Sequence, residues 1–298
     1  MEACGLFLLY KEAGLTSQSA VTRVKRLFGA KKAGHTGTLD PLAEGVLPIL
    51  LGRAVKASEF LLTGEKHYIA TLRLGLTTDT EDITGHILTE SSEIPDEEAV
   101  LAAVKKFEGE ILQTPPMYSA LKINGQKLCD LARKGETVER EARAVCVYDI
   151  RAEKISETDY TLTVHCSKGT YIRTLCADIG KALGCGGVMA TLTRSEAAGY
   201  PLSHAVKLSE LEGMTEEERL ATLVPLEEIF KSEVRVTLPD FFARLALSGA
   251  PIYQKKIKTD IPLGTRVALY DKDGFFALAE SAQKEGEAVL RSLRLFRI

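Results

Sequence analysis

Residues 34–47 read GHTGTLDPLAEGVL. The stretch sets one carboxylate, Asp40, between a glycine-rich run and a proline, just ahead of the apolar segment 46–51. Pro41 has a fixed φ and disfavours helical backbone at the residue before it, so the segment is a shaped loop and not a helix face. A shaped loop that offers a single acid is a candidate site. The plainer reading is a tight turn in which Asp40 is a turn or cap residue, and composition does not separate the two.

Upstream, Thr16 or Ser17 can cap a helix in which Val21, Val24, Leu27 and Phe28 recur at helical spacing and which ends near Gly29. Its other face carries Arg23, Lys25 and Arg26, and Lys31 and Lys32 follow, so a basic rim leads into the loop. GLFLLY (5–10) has no basic flank and reads as a buried strand, not a signal peptide. Downstream, residues 54–62 suggest a second short helix. KHYIATLRLGL (66–76) alternates with period two and places Tyr68, Ala70, Leu72 and Leu74 on one face. The acidic TTDTEDITG (77–85) reads as a loop, and PDEEAVLAAVKKF (95–107) as a helix with acids in its first turn.

Residues 113–143 combine two adjacent prolines and few large apolar side chains with Lys122, Lys127, Arg133, Lys134, Arg140 and Arg143. They read as an exposed, thumb-like excursion that rejoins a sheet at AVCVYDI (144–150). YTLTVHCSKG (160–169) alternates again, and Ile172, Leu175, Ile179 and Leu183 have helical spacing. MTEEERLATLVPLEEIF (214–230) reads as helical and acidic. From Val234 onward short strands, a helical FFARLALSG and an Asp-Gly hairpin signal make a β-rich unit. The domain boundary is expected near 232, giving units 1–232 and 233–298.

With 298 residues, 45% hydrophobic and 27% charged, the chain has the composition of a soluble globular protein, and no apolar run approaches a membrane span. Six cysteines without a C-x-x-C pair indicate reduced thiols in a cytoplasmic protein and no zinc site. The net charge of −3 hides a strong pattern. Residues 1–75 and 234–298 each carry +4, whereas 76–100 carry −8 and 201–233 carry −5. Two basic surfaces can thus meet phosphates, or serve merely as solvated faces. No phosphate-binding G-x-x-x-x-G-K-[ST], no G-x-G-x-x-G opening a helix, no H-E-x-x-H and no G-x-S-x-G occurs. Nucleotide-cofactor, zinc-protease and serine-hydrolase chemistry therefore have no sequence support.

GHTGTLDPLAEGVL, followed in order by GRAVKAS, KHYIATLRLG, PPMYSALKINGQKLCDLARKG and CSKGTYIRTLCADIG, resembles the TruB family of tRNA pseudouridine synthases over most of residues 5–230. The C-terminal LALSGAPI and VALYDKDGFFALAE resemble a PUA domain, an RNA-binding pseudo-barrel. The resemblance implies an α+β fold, with an extended, mostly antiparallel mixed sheet and flanking helices ahead of a small PUA-like unit. It implies isomerisation of uridine 55 in the T-loop of tRNA, without cofactor or metal, by a monomer. It makes Asp40 the nucleophile and Arg173 its partner. Tyr68 would stack on the base and is also a candidate general base. Tyr171 and Leu192 would line the uracil pocket, and His35 would fill the place of the flipped base. Lys11 falls on a lysine of the family's first motif. Lys11, Lys32, Arg53, Lys56, Lys122, Arg133 and Lys168 are the expected RNA contacts. Cys129 departs from the pattern, standing where relatives often carry a tyrosine.

The chemistry agrees with these residue types. Breaking N1–C1′, turning the uracil and joining C5 to C1′ needs no redox partner. An ionised carboxylate can add to C1′ or assist an elimination. An arginine beside it offsets the desolvation of a dry base pocket. Two other readings stand at this stage. An RNA-binding, tRNA-folding chaperone would use the basic surfaces alone. A glycoside hydrolase would need a second acid, which Asp79, Glu81 or Asp82 could supply.

Overall fold

The computed structural model describes residues 3–62, 64–123 and 125–297. Strand β1 (Gly5–Lys11) is apolar almost throughout because both of its faces are covered. Thr16 caps α1 (Ser17–Leu27) by accepting from the Ser19 amide, and the helix lays Ala20, Val21 and Val24 on the sheet. β2 (Ala33–His35) and β3 (Glu44–Leu51) flank the Asp40 loop. A 3-10 turn at Gly52–Ala57 and a short α2 (Ser58–Leu61) lead to β4 (Lys66–Leu74). β4 buries Lys66, Tyr68, Ala70, Leu72 and Leu74 on one face, as its period-two pattern requires.

The acidic stretch turns between β5 (Leu76–Thr78) and β6 (Ile87–Glu90). After α3 (Glu97–Lys105) and β7 (Gly109–Gln113) the excursion begins. It holds a small hairpin, β8 (Lys122–Ile123) with β9 (Gln126–Lys127), and α4 (Leu128–Ala132), whose Leu128 and Leu131 are buried. It closes at β10 (Arg143–Lys154), where Arg143 pairs directly with Gln113. β11 (Asp159–Cys166), α5 (Ile172–Leu183) and β12 (Gly187–Ala197) follow. β12 had no separate sequence signal, because its GVMATLTRSEA mixes small, polar and apolar residues without strict alternation.

Two further short strands, β13 (Tyr200–Pro201) and β14 (Val206–Lys207), complete a sheet of ten strands among the described residues. Its main order is β14-β1-β3-β12-β4-β11-β10-β7, with β2 on β3 and β13 on β12. Only the β1–β14 and β3–β12 contacts are parallel, so the sheet is mixed and mostly antiparallel. Residues of α1, α3 and α5 pack with Tyr68, Ala70 and Leu72 in the main core. No described helix is long and apolar enough to cross a membrane.

The acidic stretch 214–230 is not continuously helical. α6 (Leu208–Gly213) is followed by α7 (Glu216–Ala221) and α8 (Leu226–Ile229), with a break ahead of Pro225. In the break Val224 exchanges both backbone hydrogen bonds with Leu6, which proline-terminated extended chain permits and a helix would not.

The C-terminal unit is a five-stranded sheet with one helix. β15 (Val234–Thr237), α9 (Asp240–Leu247), β16 (Ile252–Tyr253), β17 (Arg266–Asp271), β18 (Gly274–Lys284) and β19 (Glu287–Leu295) give the order β15-β17-β18-β19-β16. The Asp273-Gly274 turn joins β17 to β18. The unit has its own core, yet Leu278 and Phe296 also pack with Leu6, Leu8, Val46 and Leu50 of the large sheet and with Phe230 at the end of α8. Lys56 Nζ donates to the Leu295 carbonyl at 2.8 Å. Lys56, expected on RNA, is thus engaged in fastening the two units.

The β3–β12 contact is narrow: Glu44 and Gly45 face Thr193 and Arg194. Gly45 has φ +110°, and a Cβ there would lie 2.3 Å from the Arg194 carbonyl oxygen. Alanine would therefore be strained both by its backbone and by its neighbour. Gly45→Ala should lower stability by ~3 kcal/mol, read as the urea midpoint shift at constant slope.

Candidate active site

The Asp40 loop is fixed by backbone hydrogen bonds at both ends. Ser17 Oγ accepts from the Leu39 amide and donates to the Leu39 carbonyl, each at 2.8 Å. The Ala43 amide donates to the Asp40 carbonyl at 3.1 Å. Lys11 Nζ donates to the carbonyls of Ala43 at 2.6 Å, Glu12 at 3.1 Å and Pro41 at 3.4 Å. Lys11 is 0% exposed, and burial lowers its pKa to about 8. The lysine expected on RNA is thus fully buried here and clamps the loop from within.

Arg173 stands in the first turn of α5, after Tyr171, whose amide and carbonyl are both held by the Gln113 side chain. Arg173 Nε lies 2.8 Å from Asp40 Oδ2. Its Nη1 donates to the Thr80 carbonyl at 3.0 Å and its Nη2 to the Tyr118 carbonyl at 2.8 Å. One buried guanidinium thus joins the Asp40 loop, the acidic turn and the excursion. Asp40 keeps about a third of its side chain exposed, so one edge of the carboxylate faces open space.

The acids of the 79–85 turn are occupied in shaping it. Asp82 Oδ1 accepts from Thr80 Oγ1, the Thr84 amide and Thr84 Oγ1, while its Oδ2 lies 4.0 Å from Arg173. Glu81 accepts from Thr174 Oγ1, and Asp79 accepts from the His86 amide. None is a free second acid opposite Asp40, which removes the geometric basis of the glycosidase reading.

Two cavities meet at Asp40 and Arg173. The smaller, about 260 Å³, is lined by Tyr68, Tyr171, Leu192, Lys66 and Arg194, with Lys168 at an exposed edge. The larger, about 980 Å³, opens toward the start of α1, His35 and the excursion residues Lys127, Cys129 and Arg133. Tyr68, Tyr171 and Leu192 thus share a wall, and His35 lies on the other side of the acid. Burial pushes up the phenols of Tyr68 and Tyr171. His35 Nδ1 accepts from the Gly37 amide at 3.2 Å, and burial, then Arg194, lowers its pKa. Lys32, Arg53, Lys122 and Arg133 are exposed, Arg133 beside Asp130 at 3.2 Å.

Lys66 and Arg194 were not among the site residues expected from sequence. Arg194 is 1% exposed, donates to the carbonyls of Val46 at 2.8 Å and Gly37 at 3.1 Å, and stands opposite Tyr68 on the neighbouring strand. For Lys66 the signal was available in the alternation of 66–74, whereas for Arg194 it was not, since β12 is not legible as a strand. Lys66 precedes Tyr68 by two residues and Arg194 follows Leu192 by two, so each shares its neighbour's face.

A carboxyl group 2.8 Å from a guanidinium, with an apolar and aromatic pocket at hand, suits attack on a flat, neutral ring system and its sugar. Comparison with known proteins agrees. A family model described as TruB family pseudouridylate synthase (N terminal domain) matches residues 25–172, and one described as tRNA pseudouridylate synthase B C-terminal domain matches residues 173–231. A tRNA pseudouridine synthase B of Burkholderia mallei (strain NCTC 10247) is 46% identical over 271 residues, 90% of each chain. The chain belongs to the TruB family of pseudouridylate synthases.

Another member, a tRNA pseudouridine synthase B of Francisella tularensis subsp. novicida (strain U112), is 40% identical over 279 residues, covering 93% of this chain and 90% of its own. Among solved structures, a chain of a Cbf5-Nop10-Gar1 complex superposes with a TM-score of 0.74 at 27% identity, over 99% of this TruB-family chain and 85% of its own. The likeness therefore includes the C-terminal sheet as well as the large one. In this TruB-family site the guanidinium is the joint between three segments, and a lysine can reach only part of them. Arg173→Lys should cost ~1–3 kcal/mol of stability. It should also speed amide exchange in 78–86 and 116–121, with the rest of the sheet unchanged.

Proposed function

We propose that the protein converts uridine 55 in the T-loop of tRNA to pseudouridine, with Asp40 as nucleophile. The observation that carries this reading is the 2.8 Å Asp40–Arg173 pair at the junction of a base-sized cavity and a larger open one. The names of the 40–46% identical relatives, tRNA pseudouridine synthase B, support tRNA as the substrate.

In this reading the target base leaves the RNA stack and enters the smaller cavity. Unstacking costs a few kcal/mol, which a base–aromatic contact worth ~1–3 kcal/mol offsets in large part. Tyr68 supplies that contact, with Tyr171 and Leu192 as walls, and His35 fills the space the base leaves behind. Arg173 holds the Asp40 carboxylate in its orientation. Tyr68 is also the candidate general base for the proton lost at C2′ or C5; burial raises its phenol, which makes the phenolate a stronger base. The isomerisation conserves atoms and electrons, so the reading calls for no cofactor and no metal.

Phosphates of the T-arm meet Lys32, Arg53, Lys122, Arg133 and Lys168, all exposed. The C-terminal sheet acts as a PUA-like RNA-binding unit, with Lys255, Lys256 and Lys258 near one edge. The protein works as a monomer in the cytoplasm. A chaperone without chemistry would have no use for an acid held by a buried arginine between two cavities.

Asp40→Asn keeps the shape and removes the charge. It should bind unmodified tRNA with wild-type affinity yet form no pseudouridine, as measured by mass-resolved nucleoside analysis. A variant that keeps more than a few per cent of the rate excludes Asp40 as nucleophile. The buried place of Lys11 gives a second expectation. Arg53→Gln should reduce the salt slope of tRNA binding by about 0.7–0.9. Lys11→Met should leave that slope unchanged, since its ammonium is buried against carbonyls. A reduced slope in Lys11→Met would return this lysine to the RNA surface.

A further inference from the structure

The smaller cavity is lined by four cations, Lys66, Lys168, Arg173 and Arg194, against one carboxylate, Asp40. Arg173 is paired with that carboxylate, and Lys168 is exposed. Lys66 and Arg194 are neither paired nor exposed. Lys66 is 8% exposed and Arg194 1%, and neither has a carboxylate partner among the described residues. Lys66 Nζ donates to the Gly64 carbonyl at 2.9 Å. The two cations converge under the Asp40 loop: a Cβ built on Gly37 would lie 3.5 Å from Arg194 Nη1 and 3.6 Å from Lys66 Cε.

Two unneutralised cations side by side in a buried wall weaken the fold. Burial, and then Arg194, lowers the pKa of Lys66, with Lys168 adding to the lowering and the Cys166 thiol opposing it. Such an arrangement is productive where negative charge arrives during a reaction and the donors are already in place. A uridine ring is neutral on entry. It becomes anionic only when its glycosidic bond breaks and the bonding pair stays on the base.

We propose that Lys66, with Arg194 beside it, stabilises the negative charge that uracil acquires when the N1–C1′ bond breaks. The inference rests on the reading of this site as a uridine isomerase. The pair from N1–C1′ remains on uracil while C1′ is taken by the Asp40 carboxylate, or a C2′ proton is lost and C1′ becomes double-bonded to C2′. The uracil anion turns. C5 then bonds to C1′, the Asp40 carboxylate or the C2′ proton is restored, C5 loses its proton and N1 gains one. Lys66 keeps its protons throughout and only donates hydrogen bonds to the charged ring. The interaction is stronger in the cleaved state than with bound substrate, so it acts on the rate and not on affinity.

The test uses the full-length protein and its Lys66→Met variant on a T-arm hairpin carrying uridine or 5-fluorouridine at the target. Removing a buried unpaired cation should leave the melting temperature unchanged or raised. Loss of the N-glycosidic linkage is followed in single turnover, and RNA affinity is measured in the Asp40→Asn background. The rate on uridine should fall by ~10²-fold, with Kd essentially unchanged. On 5-fluorouridine the fall should be several-fold smaller, because fluorine itself stabilises the departing anion. An undiminished rate, a weaker Kd with the rate intact, or an equal fall on both substrates would overturn the proposal. The second of these would place Lys66 on a phosphate and the third would make it a packing residue. A wild-type protein that forms no pseudouridine in tRNA would instead defeat the functional reading beneath it.

Discussion

The Arg173 guanidinium is the constraint on which the site depends. Its three nitrogens point to three segments far apart in sequence: Asp40, the Thr80 carbonyl and the Tyr118 carbonyl. A planar fork has fixed donor directions, so satisfying all three fixes their relative positions as well. Burial raises the stakes, since any donor left unpaired would carry its full desolvation cost. The loop that offers the acid, the turn that carries the acidic block and the excursion therefore form one unit at their roots, however exposed their tips are.

The sheet decides what else reaches that unit. β12 lies beside β4 in antiparallel register, with Leu192 opposite Ala70 and Arg194 opposite Tyr68. The inward face of two adjacent strands thus supplies one wall of the cavity from four residues, Lys66, Tyr68, Leu192 and Arg194. The parallel contact of β12 with β3 brings Arg194 under the Asp40 loop, where it holds the Val46 and Gly37 carbonyls. On the opposite side of β1 and β3, the C-terminal sheet covers Leu6, Leu8, Val46 and Leu50. Its removal would expose that face, so the second unit contributes to the stability of the first.

Local patterns carried most of the fold into the sequence. The period-two alternation of 66–74 and the helical spacing of 17–27 and 172–183 correspond to β4, α1 and α5, because each buries one face on a single core. β12 was not legible, since it lies between β3 and β4 and its pattern is interrupted by bulges near Met189 and Arg194. The 214–230 break was hidden for a similar reason: what ends the helix is the Val224–Leu6 pairing, a contact over two hundred residues away in sequence. At the site, the Asp40 loop announced itself through its glycines and proline. Lys11 gave no such signal, because charge suggests surface and only tertiary structure reveals that carbonyl oxygens have enclosed it, while the half-exposed Lys56 donates a hydrogen bond to the C-terminal unit.

That last observation extends to the site as a whole. Lys11, Lys66, Arg173 and Arg194 are all buried, and each is held largely by backbone carbonyls. A carboxylate partner would fix a cation by cancelling its charge. A carbonyl is a dipole: it orients the cation and offsets part of its desolvation while leaving the net charge in place. Of the four cations, Lys66 and Arg194 have no carboxylate partner among the described residues and line the smaller cavity, where they give it a positive potential that water cannot easily screen. Such a potential suits a site where negative charge is to be received. Carboxylate partners would have made the fold easier to stabilise and removed that field. The choice of carbonyls over carboxylates is therefore what couples the architecture of the loop and strands to the chemistry of the pocket.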